Sequence, residues 1–150
     1  DPNAIGLLPQ PFVTAAIAQN DSLSVVLDLT KVWDSLQEDG SNSRLVTGVS
    51  IVNNEFLAAH KDLVDTFLTE HEASIAHTAA DPEGAAALIE KAGIVAKAAI
   101  AQKALPACNI TYLDGQDMKD ALNGYLSVLL SQNPQSVGGS LPEDDFYYLQ

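Results

Sequence analysis

Three histidines and one cysteine are the side chains in this sequence with the clearest potential for metal or nucleophilic chemistry. His71 and Glu72 begin a pattern typical of a zinc-protease helix, but that pattern needs a histidine at position 75, where the chain has isoleucine. His60, His71 and His77 fall on different sides of one predicted helix, which argues against a metal site made from them alone. We therefore expect no metal.

The other residues that could take part in catalysis or binding have simpler structural interpretations. Cys108 follows a predicted helix end and is expected to fill a small packing space. Asn109-Ile110-Thr111 has the form of a glycosylation sequence, a pattern that arises often by chance. Gly138-Gly139-Ser140 lacks the lysine of a phosphate loop, and Glu143-Asp144-Asp145 is typical of a solvated acidic tail. Because no catalytic signature is present, we predict that the protein is not an enzyme and needs no cofactor.

The composition excludes two classes of partner. The chain has 150 residues, enough for one domain with a real core, and its formal net charge is -13. Proteins that bind nucleic acid or anionic lipid do so largely by neutralising phosphates, which such a charge opposes. No apolar stretch approaches the roughly 20 residues of a membrane span. We expect no nucleic-acid partner.

The elements that would position a site alternate along the first third of the chain. Apolar runs rich in β-branched residues at 4–8, 24–29 and 45–52 predict strands covered on both faces, as in parallel sheets. Capping residues, prolines and helical spacing then predict the helices. These are expected at 12–19, at 31–37 after an N-cap at Thr30, within 56–75, from Asp81-Pro82 to Gly93, at 94–105 and from 114 or 115 to 130.

One corner between a predicted strand and a predicted helix is unusual. Pro9 ends the first apolar run, and Pro11 is suited to the first turn of the next helix. Gln10 is held between them, with a restricted backbone and a free amide. In α/β proteins, ligands usually bind at such strand ends. An ordinary proline-rich turn is the alternative interpretation. Residues 9–14 are called the corner below.

The corner and several later segments together resemble the solute-binding proteins of ABC importers. The resemblance rests on Leu8-Pro9-Gln10-Pro11-Phe12-Val13-Thr14, on the helix start Glu55-Phe56-Leu57, and on Val137-Gly138-Gly139 before the acidic, aromatic tail. The most similar branch takes in nitrate, sulfonates, taurine, bicarbonate or thiamine-pyrimidine precursors. The resemblance covers nearly the whole chain and does not identify the cargo.

The resemblance implies a fold, a domain arrangement and a site. The implied fold is a three-layer α/β, type II periplasmic-binding-protein-like architecture with a helix-rich C-terminal half. The chain would be the C-terminal portion of a two-lobe protein, with the end of the second lobe at 1–44, a crossing strand at 45–52 and the helical part of the first lobe at 53–150. The implied ligand-binding residues are Pro9, Gln10, Pro11, Phe12, Thr14, Thr47 and Gly48.

The resemblance also implies partners and a location. The protein would bind a small, anionic or heteroaromatic solute outside the cytoplasm, in the periplasm or anchored by lipid to the outer face of the membrane, and deliver it to an ABC permease. It would need an N-terminal half missing from this chain, or a second copy in a homodimer. Two alternatives remain open at this point, a pyrimidine-precursor biosynthesis enzyme of the same fold and a ligand-sensing domain of a signalling protein.

Overall fold

The computed structural model describes residues 4–39 and 41–149, and the described chain is helical. No β-strand forms among these residues. The α-helices are α1 (Phe12–Gln19), α2 (Leu29–Ser35), α3 (Asn54–Ala59), α4 (Lys61–Ala80), α5 (Pro82–Lys91), α6 (Ala98–Ala104) and α7 (Gly115–Gln132). Short 3₁₀ helices follow at Leu105–Ala107, Pro134–Val137 and Asp144–Phe146.

The predicted three-layer α/β fold is therefore wrong for the described chain. The apolar runs at 4–8, 24–29 and 45–52, predicted as strands, are irregular or extended, and Leu29 already belongs to α2. A strand is stable only when its backbone groups pair with a neighbour, and β-branched composition does not provide that neighbour. Ile5 and Ile51 are each 88% exposed, so these two side chains are not covered by other described residues.

The chain divides into two compact units. The first contains the described residues up to Val25 together with Asn54–Tyr112, and the second contains Val26–Asn53 and the chain from Leu113 onward. In the first unit, α5 packs on α6, and four alanines of these helices are almost fully buried, namely Ala85, Ala86, Ala101 and Ala104. These small side chains let the two helices approach closely. In the second unit, α7 carries the buried Ala121.

Local helix signals in the sequence are largely confirmed. α1 and α7 lie where they are predicted, and α5 begins at Pro82 with the Asp81 carboxylate accepting a 2.9 Å hydrogen bond from Gly84 N. Gly93 ends that helix with φ of 73°, a conformation that glycine adopts at little cost.

Three helix boundaries differ from the prediction. Asp28, not Thr30, caps α2, because the Asp28 carboxylate accepts from the backbone N–H groups of Thr30 and Lys31. The helix predicted from residue 94 begins only at Ala98, whose N–H donates to the Glu90 carboxylate at 3.0 Å. His60 separates α3 from α4, so the helical pattern from 56 to 75 is interrupted there.

Candidate ligand-binding corner

The corner is a tight entry into α1. The Gln10–Pro11 peptide bond is cis, and Pro11 occupies the N-cap position before Phe12. Val13 N donates to the Pro9 carbonyl at 3.2 Å, and Ala15 N donates to the Pro11 carbonyl at 3.0 Å. Pro11 therefore stands one residue before the first turn predicted for it, and the strand that Pro9 is predicted to end does not form among the described residues.

The Gln10 side chain is fixed by Thr14, one turn into the helix. Thr14 Oγ1 donates a 2.8 Å hydrogen bond to Gln10 Oε1, and Thr14 N donates to the same oxygen at 3.4 Å. Because the NH₂ group of an amide only donates, the atom that accepts from both of these donors is the amide oxygen. The Gln10 NH₂ group then lies on the other side of the amide, and it donates to no other residue that the structure describes. The corner thus offers a pre-oriented hydrogen-bond donor.

An aromatic residue at the start of α1 follows Gln10 two positions along the chain. Phe12, the first residue of α1, is 62% exposed, although aromatic side chains of this size are usually covered. The first turn of α1 contains no acidic side chain, so no carboxylate in that turn neutralises the N-terminal partial positive charge. A flat ligand bearing an acceptor could stack on Phe12 and accept a hydrogen bond from Gln10.

Thr47 and Gly48 belong to the second unit and are described apart from the corner. Both are exposed in the extended 45–52 run. A Cβ atom built on Gly48 meets no atom within 4 Å, so no local packing requires a glycine there. Among the predicted site residues, the structure brings Gln10 and Thr14 into direct contact.

The second unit contains a groove that the sequence did not predict. Its volume is about 390 Å³, and it is lined by Trp33, Leu36, Gln37, Glu38, Ser41 and Val128. The Trp33 ring packs on Tyr125 of α7 with centroids 5.4 Å apart, and Trp33 Nε1 is buried without a partner among the described residues. Trp33 and Leu36 are one helical turn apart in the sequence, which was the available signal. The contribution of Val128 depends on tertiary packing.

The histidines lie in aromatic contacts. His60 is 4.8 Å from Phe56 between ring centroids, and His71 stacks on Phe67 at 5.4 Å with its other neighbour Tyr112 at 6.1 Å. In the described parts of the chain, no three His, Cys, Asp or Glu side chains are grouped as metal ligands would be. These rings therefore act as packing groups in the arrangement seen.

Cys108 and the acidic tail also have structural partners. Cys108 Sγ donates to the Ala104 carbonyl at 3.3 Å, and burial raises the pKa of the thiol, which disfavours the nucleophilic thiolate. In the tail, Asp144 accepts a 2.7 Å hydrogen bond from Lys119 Nζ. Three residues further along, Tyr147 is only 6% exposed and donates to Asn123 Oδ1 at 2.7 Å. The tail is thereby attached to α7.

Comparison with known proteins provides no relative for the corner. No protein-family model matches the sequence, and neither a curated protein nor a solved structure matches the chain. Across residues 4–39 and 41–149, no helix has both the length and the apolar character needed to cross a bilayer.

Proposed function

We propose that this chain is the solute-binding component of an ABC importer and that it holds its cargo at the corner. The observation that supports the proposal most directly is the Gln10 amide, whose oxygen accepts from Thr14 while its NH₂ group donates to no residue that the structure describes. This proposal relies on the corner and on the sequence resemblance. It does not rely on the three-layer fold, which the structure contradicts.

The orientation of Gln10 indicates the chemical class of the cargo. A ligand that approaches the NH₂ group must present a hydrogen-bond acceptor, such as an anionic oxygen, a carbonyl or a ring nitrogen. The net charge of -13 repels anions at long range, but salt screens that repulsion beyond about 8 Å at physiological ionic strength. At contact distance, the donor and the start of α1 dominate. The proposed cargo is therefore a small anionic or heteroaromatic solute.

The corner provides only part of a binding site. Phe12 leaves 62% of its surface exposed, whereas bound solutes of this size are usually enclosed on most sides. The proposal therefore includes a further wall, contributed by an N-terminal half of the same protein, with residues 1–44, 45–52 and 53–150 forming its C-terminal portion. It also places the protein outside the cytoplasm, where the loaded form meets its permease.

The test is a ligand screen by thermal shift, confirmed by calorimetry, on the longest natural form of the protein and on the 150-residue chain. The probes are taurine, an alkyl sulfonate, nitrate, bicarbonate, an aminopyrimidine and an aromatic carboxylate. A ligand at 100 times its dissociation constant stabilises the folded state by about 2.7 kcal/mol, which such an assay detects. Gln10→Ala is compared with Gln19→Ala, an exposed glutamine at the other end of α1.

The outcomes separate the function from the site. Stabilisation that Gln10→Ala removes and Gln19→Ala preserves would support both binding and the corner. Stabilisation that both variants preserve would support a binding protein but place its site elsewhere. The absence of stabilisation by every probe in the longest form would count against a solute-binding function for these cargo classes.

A further inference from the structure

The 45–52 run of the second unit is an apolar segment whose residues 47–51 are exposed, whereas Leu45, Val46 and Val52 are half-buried. Its backbone forms no helix, turn or bend, and no residue from Leu45 to Val52 makes a backbone hydrogen bond to another described residue. Val49 is 60% exposed and Ile51 is 88% exposed. An extended segment with free N–H and C=O groups and aliphatic side chains is the form that pairs with another strand.

The accessible surface of the chain is large for its mass. Its accessible surface is 11033 Å² for 15.9 kDa. Even two separate compact domains, each of half this mass, would together expose only about 8,900 Å² on the usual size scaling. The surplus is of the order that each subunit of an obligate dimer buries, since such interfaces total about 2,000–5,000 Å². Association would therefore cover area that folding leaves in water.

We propose that the 45–52 run pairs in antiparallel fashion with the same run of a second copy of this chain. The run is suited to self-pairing because it contains no charged side chain, so two copies do not bring like charges into direct opposition there. Two-fold pairing centred on Gly48 or Val49 places the alternate residues Leu45, Thr47, Val49 and Ile51 of both copies on one face. That face is apolar except for the two threonines.

Electrostatics gives this dimer a distinctive salt dependence. Each copy carries a net charge of -13, so bringing two copies together costs Coulomb energy that added salt reduces. The dimer should therefore tighten as the salt concentration rises. A partner of opposite net charge would show the reverse trend, because salt would weaken the attraction that brings it to the chain.

The experiment measures the mass of the 150-residue chain by sedimentation equilibrium over a wide concentration range, at low and at moderate salt. We expect a monomer–dimer equilibrium whose dissociation constant falls as salt rises. Ile51→Lys would place a charge on the paired face and should raise the dissociation constant at least tenfold. Ile5→Lys is the matched control, because Ile5 is equally exposed but lies in the first unit. It should leave the dissociation constant unchanged.

Hydrogen exchange then locates the interface. Backbone amides from Leu45 to Val52 should exchange more slowly in the dimer than in the Ile51→Lys monomer, while circular dichroism shows equal helix content in both proteins. A wild-type chain that remains monomeric at every concentration would overturn the proposal. A dimer that Ile51→Lys leaves intact, or that Ile5→Lys disrupts to the same extent, would also overturn it. Protection of these amides that appears only when a different polypeptide is added would overturn it as well.

Discussion

Ser43 lies directly against Gly124 of α7, so closely that a methyl group at position 124 would meet the serine. A Cβ atom built on Gly124 comes within 2.5 Å of Ser43 Cβ and within 2.8 Å of Ser43 Cα. Ser43 is itself 4% exposed, so it has little room to retreat. The absence of a side chain at Gly124 therefore allows the segment before the 45–52 run to pack on α7.

Gly124→Ala should destabilise the protein although alanine favours helix. The substitution gains about 1 kcal/mol of intrinsic helix propensity. Overpacking of a tight contact costs about 1–3 kcal/mol, and here part of the clash is with backbone, which moves less readily than a flexible side chain. The difference is a net loss of up to about 2 kcal/mol in the free energy of unfolding, measured by urea denaturation.

The matched control for this contact is Ser127→Ala, at an exposed position one turn further along α7. It improves helix propensity without approaching Ser43 and should leave stability within about 0.5 kcal/mol of wild type. A more stable Gly124→Ala protein would show that the Ser43 segment does not pack on α7 as described.

Tyr147 should make the stability of the protein sensitive to alkaline pH. Removal of its hydroxyl from water raises its pKa, Lys119 lowers it in part, and the Asp144 carboxylate raises it again. The unfolded chain therefore ionises at the ordinary tyrosine pKa, about 10, before the folded chain does. The contribution of Tyr147 to the free energy of unfolding is fully present below about pH 10. It is lost as the pH rises through the pKa of Tyr147 in the folded protein.

The measurement is urea denaturation of wild type and Tyr147→Phe between neutral and alkaline pH. At neutral pH the variant should be less stable by about 0.5–1.5 kcal/mol, because it lacks the hydrogen bond to Asn123. The difference should shrink as pH rises above 10. Tyr148→Phe controls for the general effect of losing a tail hydroxyl. A difference between wild type and Tyr147→Phe that stays constant with pH would contradict this assignment.

The sequence predicts helices here better than it predicts sheet, and the reason is physical. A helix satisfies its backbone within one segment, so local signals such as Asp81-Pro82 before α5 and Gly93 after it are sufficient. A strand depends on a neighbour that local sequence cannot specify. The 45–52 run has the composition of a strand and remains unpaired in the described chain.

In the candidate site too, features that depend on local sequence could be predicted and features that depend on tertiary packing could not. The positions of Pro9 and Pro11 around Gln10 follow from the sequence, since proline restricts the backbone locally. The bond from Thr14 to the Gln10 oxygen was not predicted, although residues four apart on a helix entry are close enough to make it. The groove beside Trp33 could not be predicted, because Val128 joins its lining from far along the chain.

Asp28→Ala should weaken α2. The Asp28 carboxylate accepts hydrogen bonds at 3.1 Å from Thr30 N and at 3.3 Å from Lys31 N, which the helix itself leaves without partners. Loss of such an N-cap costs about 1 kcal/mol, measured as a lower free energy of unfolding. Asp34→Ala, an exposed position inside α2, should cost less. Equal losses in the two variants would show that Asp28 does not act as the cap.

Gln10→Glu should change which ligands the corner accepts. One carboxylate oxygen would keep the bonds from Thr14, and the other would face the ligand as an acceptor where Gln10 presents a donor. A solute bound through the Gln10 NH₂ group should then bind about tenfold more weakly by calorimetry, since a hydrogen bond to a charged ligand contributes about 1.5–3 kcal/mol.

Thr14 variants test whether the orientation of the amide causes this selectivity. Thr14→Val removes the hydroxyl that fixes Gln10 Oε1 and should weaken binding, because the amide can then rotate. Thr14→Ser retains the hydroxyl and should bind nearly as well as wild type. If Gln10→Glu retains the wild-type affinity, or if Thr14→Val and Thr14→Ser bind equally well, the Gln10 NH₂ group does not select the ligand.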